Sequence, residues 1–161
     1  MNIEDPRLEP IAAKALAGEL LGFEDALALY RTHDLLGVGQ IADGVRAERH
    51  GHRAWCVVDL NGPKLSAEGT EGRIQTLLSH PAADVYEPPL RAHLSGHTYL
   101  KDVAVARLLL PQVIHIRVRL CAQVENVCQI ALRFGADTLA GANLEELQRQ
   151  ARAAGCELPP S

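Results

Sequence analysis

The chain has 161 residues, 47% of them hydrophobic and 22% charged, the mix of one ordinary globular domain. Its 20 acidic and 16 basic residues leave a net charge of −4, and with two Phe, one Trp and three Tyr it lacks the footprint of a nucleic-acid binder. No apolar run approaches a membrane span, the acidic opening MNIEDPRLEP is unlike a secretory leader, and four irregularly spaced cysteines make no disulfide framework, so a cytoplasmic protein with reduced thiols is expected.

The first fifty residues predict helices. Leu8, Ile11, Ala12, Ala15 and Leu16 keep helical spacing, with Pro6 and Pro10 confining the start. GFEDALALYRT predicts a second helix with Glu24 and Asp25 in its first turn, where the helix dipole favours acids. Asp34 can cap a third, with Val38, Ile41, Ala42 and Val45 on one stripe and Gly51 as the stop. Residues 53 to 60 then read as a buried strand running into an Asn-Gly-Pro turn. Residues 61 to 72 read as a loop, EGRIQTLLSH as a short helix, and the proline-rich residues 81 to 97 as irregular.

Beyond residue 98 the pattern sharpens. TYLKDVAVARLLL predicts a helix stopped by Pro111, and VIHIRVRL (113–120) alternates as a strand. CAQVENVCQIALRF predicts an amphipathic helix ended by Gly135, ADTLA a short strand, and NLEELQRQARAAG a helix with Asn143 and Glu146 in capping-box spacing. The expected fold class is therefore α/β: N-terminal helices plus a small, mainly parallel sheet with right-handed βαβ crossovers. About three strands are legible, too few for the eight of a closed (β/α)8 barrel. One domain over 1–161 is expected, with a helical segment and first strand (1–60), a connecting segment (61–97) and an αβαβα segment (98–161).

Few residues stand out chemically. Cys121 and Cys128 are seven apart, ~10 Å along a helix axis and too far for one tetrahedral metal. His50 with His52, and His93 with His97, have ligand-like spacings but fall where loops are expected, which favours solvated histidines. The strand VIHIRVRL is more informative. Ile114, Ile116, Val118 and Leu120 should face one side, and His115, Arg117 and Arg119 the other. A strand covered on both faces should be apolar on both. Three basic or titratable groups here read either as a solvated face or as a surface for a carboxylate or phosphate, whose geometry arginine forks match.

The segments GFEDALALYRTHDLLGVGQIADGVRAERHGHRAWCVVDLN and YLKDVAVARLLLPQVIHIRVRLCAQVENVCQIALRFGADTLAGA, with NLEELQRQARAAGCELP behind them, carry a family resemblance. They are similar to the radical-SAM enzymes of the futalosine route to menaquinone, namely aminofutalosine synthase and dehypoxanthine futalosine cyclase, with the deazaflavin synthases as cousins. The resemblance covers about two-thirds of the chain and implies a partial (β/α) barrel remnant. In that family a three-cysteine loop after the first strand holds a [4Fe–4S] cluster that binds S-adenosylmethionine. Here the strand runs into NGPKLSAEG with no cysteine, so neither cofactor is expected. Where the family reads D-D-L-D-G-T, this chain has Asp137, Thr138, Leu139, Ala140, Gly141 and Ala142.

The resemblance thus implies a shrunken pseudo-enzyme. The function expected is non-catalytic: a binding or regulatory module for an anionic metabolite, with His115, Arg117, Arg119 and Asp137 as its ligand-binding residues and no catalytic or metal-ligating residue. The alternatives are an accessory or split-site subunit of a futalosine-pathway enzyme, and a ligand-free scaffold. Barrel strands without their neighbours predict a homodimer, or a complex with a larger family enzyme. Neither a nucleic-acid partner nor a membrane is expected.

Overall fold

A computed structural model describes residues 1–92 and 95–160. Asp34 shows how a single side chain organises the amino-terminal part. Its Oδ1 accepts the Gly37 N–H at 2.9 Å and caps α3 (Leu35–His50), while Oδ2 accepts the Glu4 and Asp5 N–H groups at 2.7 and 3.1 Å. Before α3 come a 3-10 turn (Pro6–Leu8), α1 (Glu9–Leu16) and α2 (Phe23–Arg31), and Gly51 ends α3 with φ 61°. These elements fall where the periodicity predicts them.

The rest of the chain alternates between strands and helices. In order come β1 (Trp55–Val58), β2 (Leu65–Ser66), α4 (Thr70–Leu78), β3 (Ala83–Tyr86), β4 (Leu90–Arg91) and α5 (Gly96–Leu109). After them follow β5 (Val113–Arg119), α6 (Cys128–Ala131), β6 (Thr138–Gly141) and α7 (Leu144–Ala153). Four strands make one wholly parallel sheet in the order β1-β6-β5-β3, and β2 pairs with β4 in a small parallel ladder beside it. The α/β class is as expected.

Register sorts the side chains. Trp55, Thr138 and Arg117 are in line, as are Val57, Ala140 and Arg119, and Val85 lies beside His115. In parallel strands such partners share a face. The opposite face carries Cys56, Leu139, Ile116 and Val118; the last three are fully buried beneath α5, α6 and α7. This is the division expected for the β5 strand, except that Ile114 is largely exposed at its start and Leu120 lies just past its end.

Three expectations need correction. Residues 81 to 92 are not irregular throughout: Pro81, Pro88 and Pro89 bracket β3 and β4 without interrupting a ladder, the placement strands tolerate. The expected helix over 121–134 is regular only at Cys128–Ala131. Around it the bonds run three residues back, as from Val127 N–H to the Val124 carbonyl and Phe134 N–H to the Ala131 carbonyl, so the turns are tighter than α. The apolar stripe still works, because Val124, Cys128, Ala131 and Phe134 are all buried. Finally, His97 does not lie in a loop as expected, but in the first turn of α5. The Ser95 hydroxyl accepts the Thr98 N–H and caps α5, whose first residue is Gly96.

Helix α3 packs closely because it carries Gly39. A Cβ there would stand 2.6 Å from the Phe134 ring. Gly39→Ala should therefore cost about 1–3 kcal/mol by overpacking. The check is the urea midpoint, and an unchanged midpoint would mean the ring moves aside freely. Among the described residues no helix is long and apolar enough to cross a membrane.

Candidate functional site

The amino ends of the strands hold a buried knot around Asp137, which lies just before β6. Its carboxylate accepts from Arg107 (2.6 Å), the Thr138 hydroxyl (2.6 Å), His115 Nδ1 (3.1 Å) and His50 Nε2 (3.0 Å). Both imidazoles meet Trp55 edge-on and stack on each other, with ring centres 5.1 Å apart. Burial pushes the Asp137 carboxyl up, but the His50 hydrogen bond and the Arg107 charge together hold it below the ordinary range. Arg107, also fully buried, gives its remaining donors to the carbonyls of Gly135 and Ile114. The knot is a balanced ion pair with two histidines ordered around it.

At the carboxyl ends lies a second network. Arg117 Nε donates to Glu87 at 2.8 Å, and Arg119 reaches Glu87 at 3.0 Å and Asp59 at 2.9 Å. Arg119 also donates to the Asp59 and Asn61 carbonyls, holding the chain that leaves β1. The Asn61 N–H, then Arg119, keep the Asp59 carboxyl below its ordinary range. Glu87 follows β3, and the β2–β4 ladder ties the chain leaving β1 to the chain leaving β3.

The four residues expected to bind a ligand therefore fall into two groups. His115 joins Asp137 at one end of the sheet, while Arg117 and Arg119 meet Glu87 and Asp59 at the other. Each arginine already faces a carboxylate. Sequence spacing did not reveal Glu87, Asp59, His50 or Arg107 as partners. Glu87 sits in the segment read as irregular, and His50 pairs with His115 and Asp137 instead of His52, which is exposed. The other spaced pair cannot be followed, since His93 lies outside the described residues.

A third assembly is a cavity of about 400 Å³ between α2 and the first turns of α4 and α5. Lys101, Arg91, His33, His97, Thr70 and Thr98 are among its walls, and no carboxylate lines it among the described residues. Beneath the wall is Asp102, fully buried, which takes two hydrogen bonds from Arg91 (2.7 and 3.1 Å) and one from the Tyr30 hydroxyl (2.7 Å). The Arg73 Nε stands 3.7 Å from the same carboxylate, and its Nε and one terminal nitrogen have no partner among the described residues. Among the described residues Lys101 bonds to the Tyr30 and Thr32 carbonyls at the end of α2, and burial pulls its ammonium down. Arg73 and Arg91 thus share one carboxylate, and Lys101 beside them meets carbonyl oxygens alone.

Metal chemistry finds little footing. Among the described residues the metal-capable group of three or more side chains is His50, His115 and Asp137, with donor atoms within 4.8 Å of one another. A cation there would meet the Arg107 guanidinium already bonded to Asp137, so the set does not fit a metal ion. No cysteine belongs to it. All four cysteines are free, and burial raises the Cys128 thiol to about 12.

No family model matches the chain. Among curated proteins, the aminodeoxyfutalosine synthase of Thermus thermophilus is 49% identical over 56 residues, which is 35% of this chain and 15% of that enzyme. The chain is thus related to that enzyme over part of its length, and the matched region spans only a small fraction of the relative.

Proposed function

We propose that this protein is a non-catalytic binding module for a small anionic metabolite, held in the cavity between α2, α4 and α5. One observation carries the reading: among the described residues Asp102 is the one carboxylate paired with Arg73 and Arg91, Lys101 pairs with none, and no acid lines the cavity. Two positive charges remain to be met. A carboxylate or phosphate seated there would accept from Lys101 and the Thr70 and Thr98 hydroxyls, next to two helix amino termini whose dipoles have the same sign.

This moves the anion away from Arg117 and Arg119, which an incoming anion would first have to free from Glu87 and Asp59. Descent from a futalosine-pathway radical-SAM enzyme is supported by the partial match to aminodeoxyfutalosine synthase. Radical chemistry is not part of the proposal. A [4Fe–4S] cluster needs several thiolates on one cube, and no three cysteines here form a ligand group among the described residues.

The test is thermal unfolding with inorganic phosphate, pyrophosphate or a dicarboxylate, against chloride at equal ionic strength. At a hundred times the dissociation constant, binding adds about 2.7 kcal/mol and raises the melting temperature by about 5–10 °C. Lys101→Met, which keeps the alkyl stem, should abolish the response, while Arg117→Gln should leave it intact. A response lost with Arg117 and kept without Lys101 would return the anion to the strand face. A flat response to every anion would sink the reading.

A further inference from the structure

We propose that two copies of this chain close one eight-stranded parallel barrel, with β1 of each lying alongside β3 of the other. The four-stranded sheet is wholly parallel and ends on β1 and β3, each with a strand neighbour on one side only among the described residues. Trp55 and Asp59 direct their N–H groups to the β6 side. By the alternation of a parallel ladder, Cys56 and Val58 must direct theirs outward. The carboxyl-terminal tail takes this edge only at its start, where the Ala54 N–H meets the Glu157 carbonyl at 2.9 Å. An open edge of this kind is a template for another strand.

The edges of the face opposite the helices point the same way, although its centre, at Thr138, Ala140 and Arg119, is already buried within one chain. Val57 is 40% exposed and Val85 39%, and both share the face of His115, Arg117 and Arg119, opposite the helix layer. Parallel sheets are almost always covered on both faces.

A second copy fits this surface for three reasons. The strands run in one direction, so a two-fold axis parallel to them sets β1 beside β3 twice, with both new pairs parallel. Four strands from each copy give the eight at which such barrels close. The charges also match, since Arg117 and Arg119 are met by Glu87 and Asp59 within each copy, and two such faces meet without net repulsion. This inference is independent of the anion site, which lies among α2, α4 and α5.

The test is the mass of the full chain in solution by light scattering, then the same for Val57→Lys/Val85→Lys. The native chain should have twice its 17.4 kDa, and the variant should be a folded monomer. Both positions are exposed, so lysine is tolerated there unless another copy covers them; Val85→Lys alone serves if the pair fails to fold. Val57→Cys/Val85→Cys gives a second readout. Within one chain these strands are three spacings apart, ~14 Å, too far for a disulfide. Oxidation should join two chains through a 57–85 bond, identified by peptide mapping. A native monomer over a wide concentration range overturns the proposal. So does a dimer whose mass survives the lysines and whose cysteines 57 and 85 do not join.

Discussion

Asp137→Ala should lower the melting temperature by about 6–20 °C, one of the two largest effects expected of a single substitution in this chain. Removing the carboxylate leaves the Arg107 guanidinium fully buried with two carbonyls and no counter-charge. Breaking one partner from such a pair costs about 3–5 kcal/mol, and each kcal/mol shifts a chain of this size by about 2–4 °C. His50 and His115 lose their common acceptor as well. Asp137→Ala/Arg107→Leu should recover much of the loss, because the orphaned charge leaves with its partner. A shift of only a degree or two for Asp137→Ala would mean that Arg107 finds water on removal of its carboxylate.

The same residue sets an acid limit. Its folded pKa lies below the ordinary carboxylate value, so its contribution is complete above the unfolded value near 4 and is lost as pH falls toward the folded one. Stability measured from pH 6 downward should therefore fall below about pH 4, and fall less in Asp137→Asn. The neutral variant starts from lower stability but has no proton to take up.

Asp102→Ala should cost a comparable amount, about 3–5 kcal/mol, for the same reason on the other side of the molecule. Arg91 and Arg73 would share no acid, and the Tyr30 hydroxyl, whose ionisation burial already suppresses, would lose its acceptor. This variant carries a second signature. With Asp102 gone the local charge rises from two unmatched cations to three, so phosphate should stabilise Asp102→Ala more than the native chain. Thermal unfolding in a phosphate series measures both effects. If the variant is destabilised yet gains nothing extra from phosphate, the arginines serve the fold alone and the cavity is not an anion site.

Local signals predicted most of the fold. The caps at Asp34 and Asn143, the stop at Gly51 and the alternation of VIHIRVRL are short-range features, and each marks the element it announces. β3 was hidden because four residues between prolines look like a loop until β5 lies beside them. The segment after Cys121 forms less α-helix than its spacing predicts, since that apolar spacing fits tight turns as well as α turns. The sites were less legible because their partners come from distant segments: Glu87 is 30 residues from Arg117, and Arg107 is 30 from Asp137. The alternating basic strand marked a charged face correctly, but a strand alone cannot say whether its arginines are already paired. Nor could spacing place Lys101 beside Arg91, since both come together only through the packing of α2, α4 and α5.

The most direct measurement is a crystal structure of the protein grown with phosphate or its heavier analogue tungstate. The account predicts density within hydrogen-bond distance of Lys101 Nζ, in the cavity walled by Thr70 and Thr98, with Glu87 and Asp59 still on Arg117 and Arg119. An anion seated on Arg117 or Arg119 with Glu87 displaced, and none beside Lys101, would contradict it.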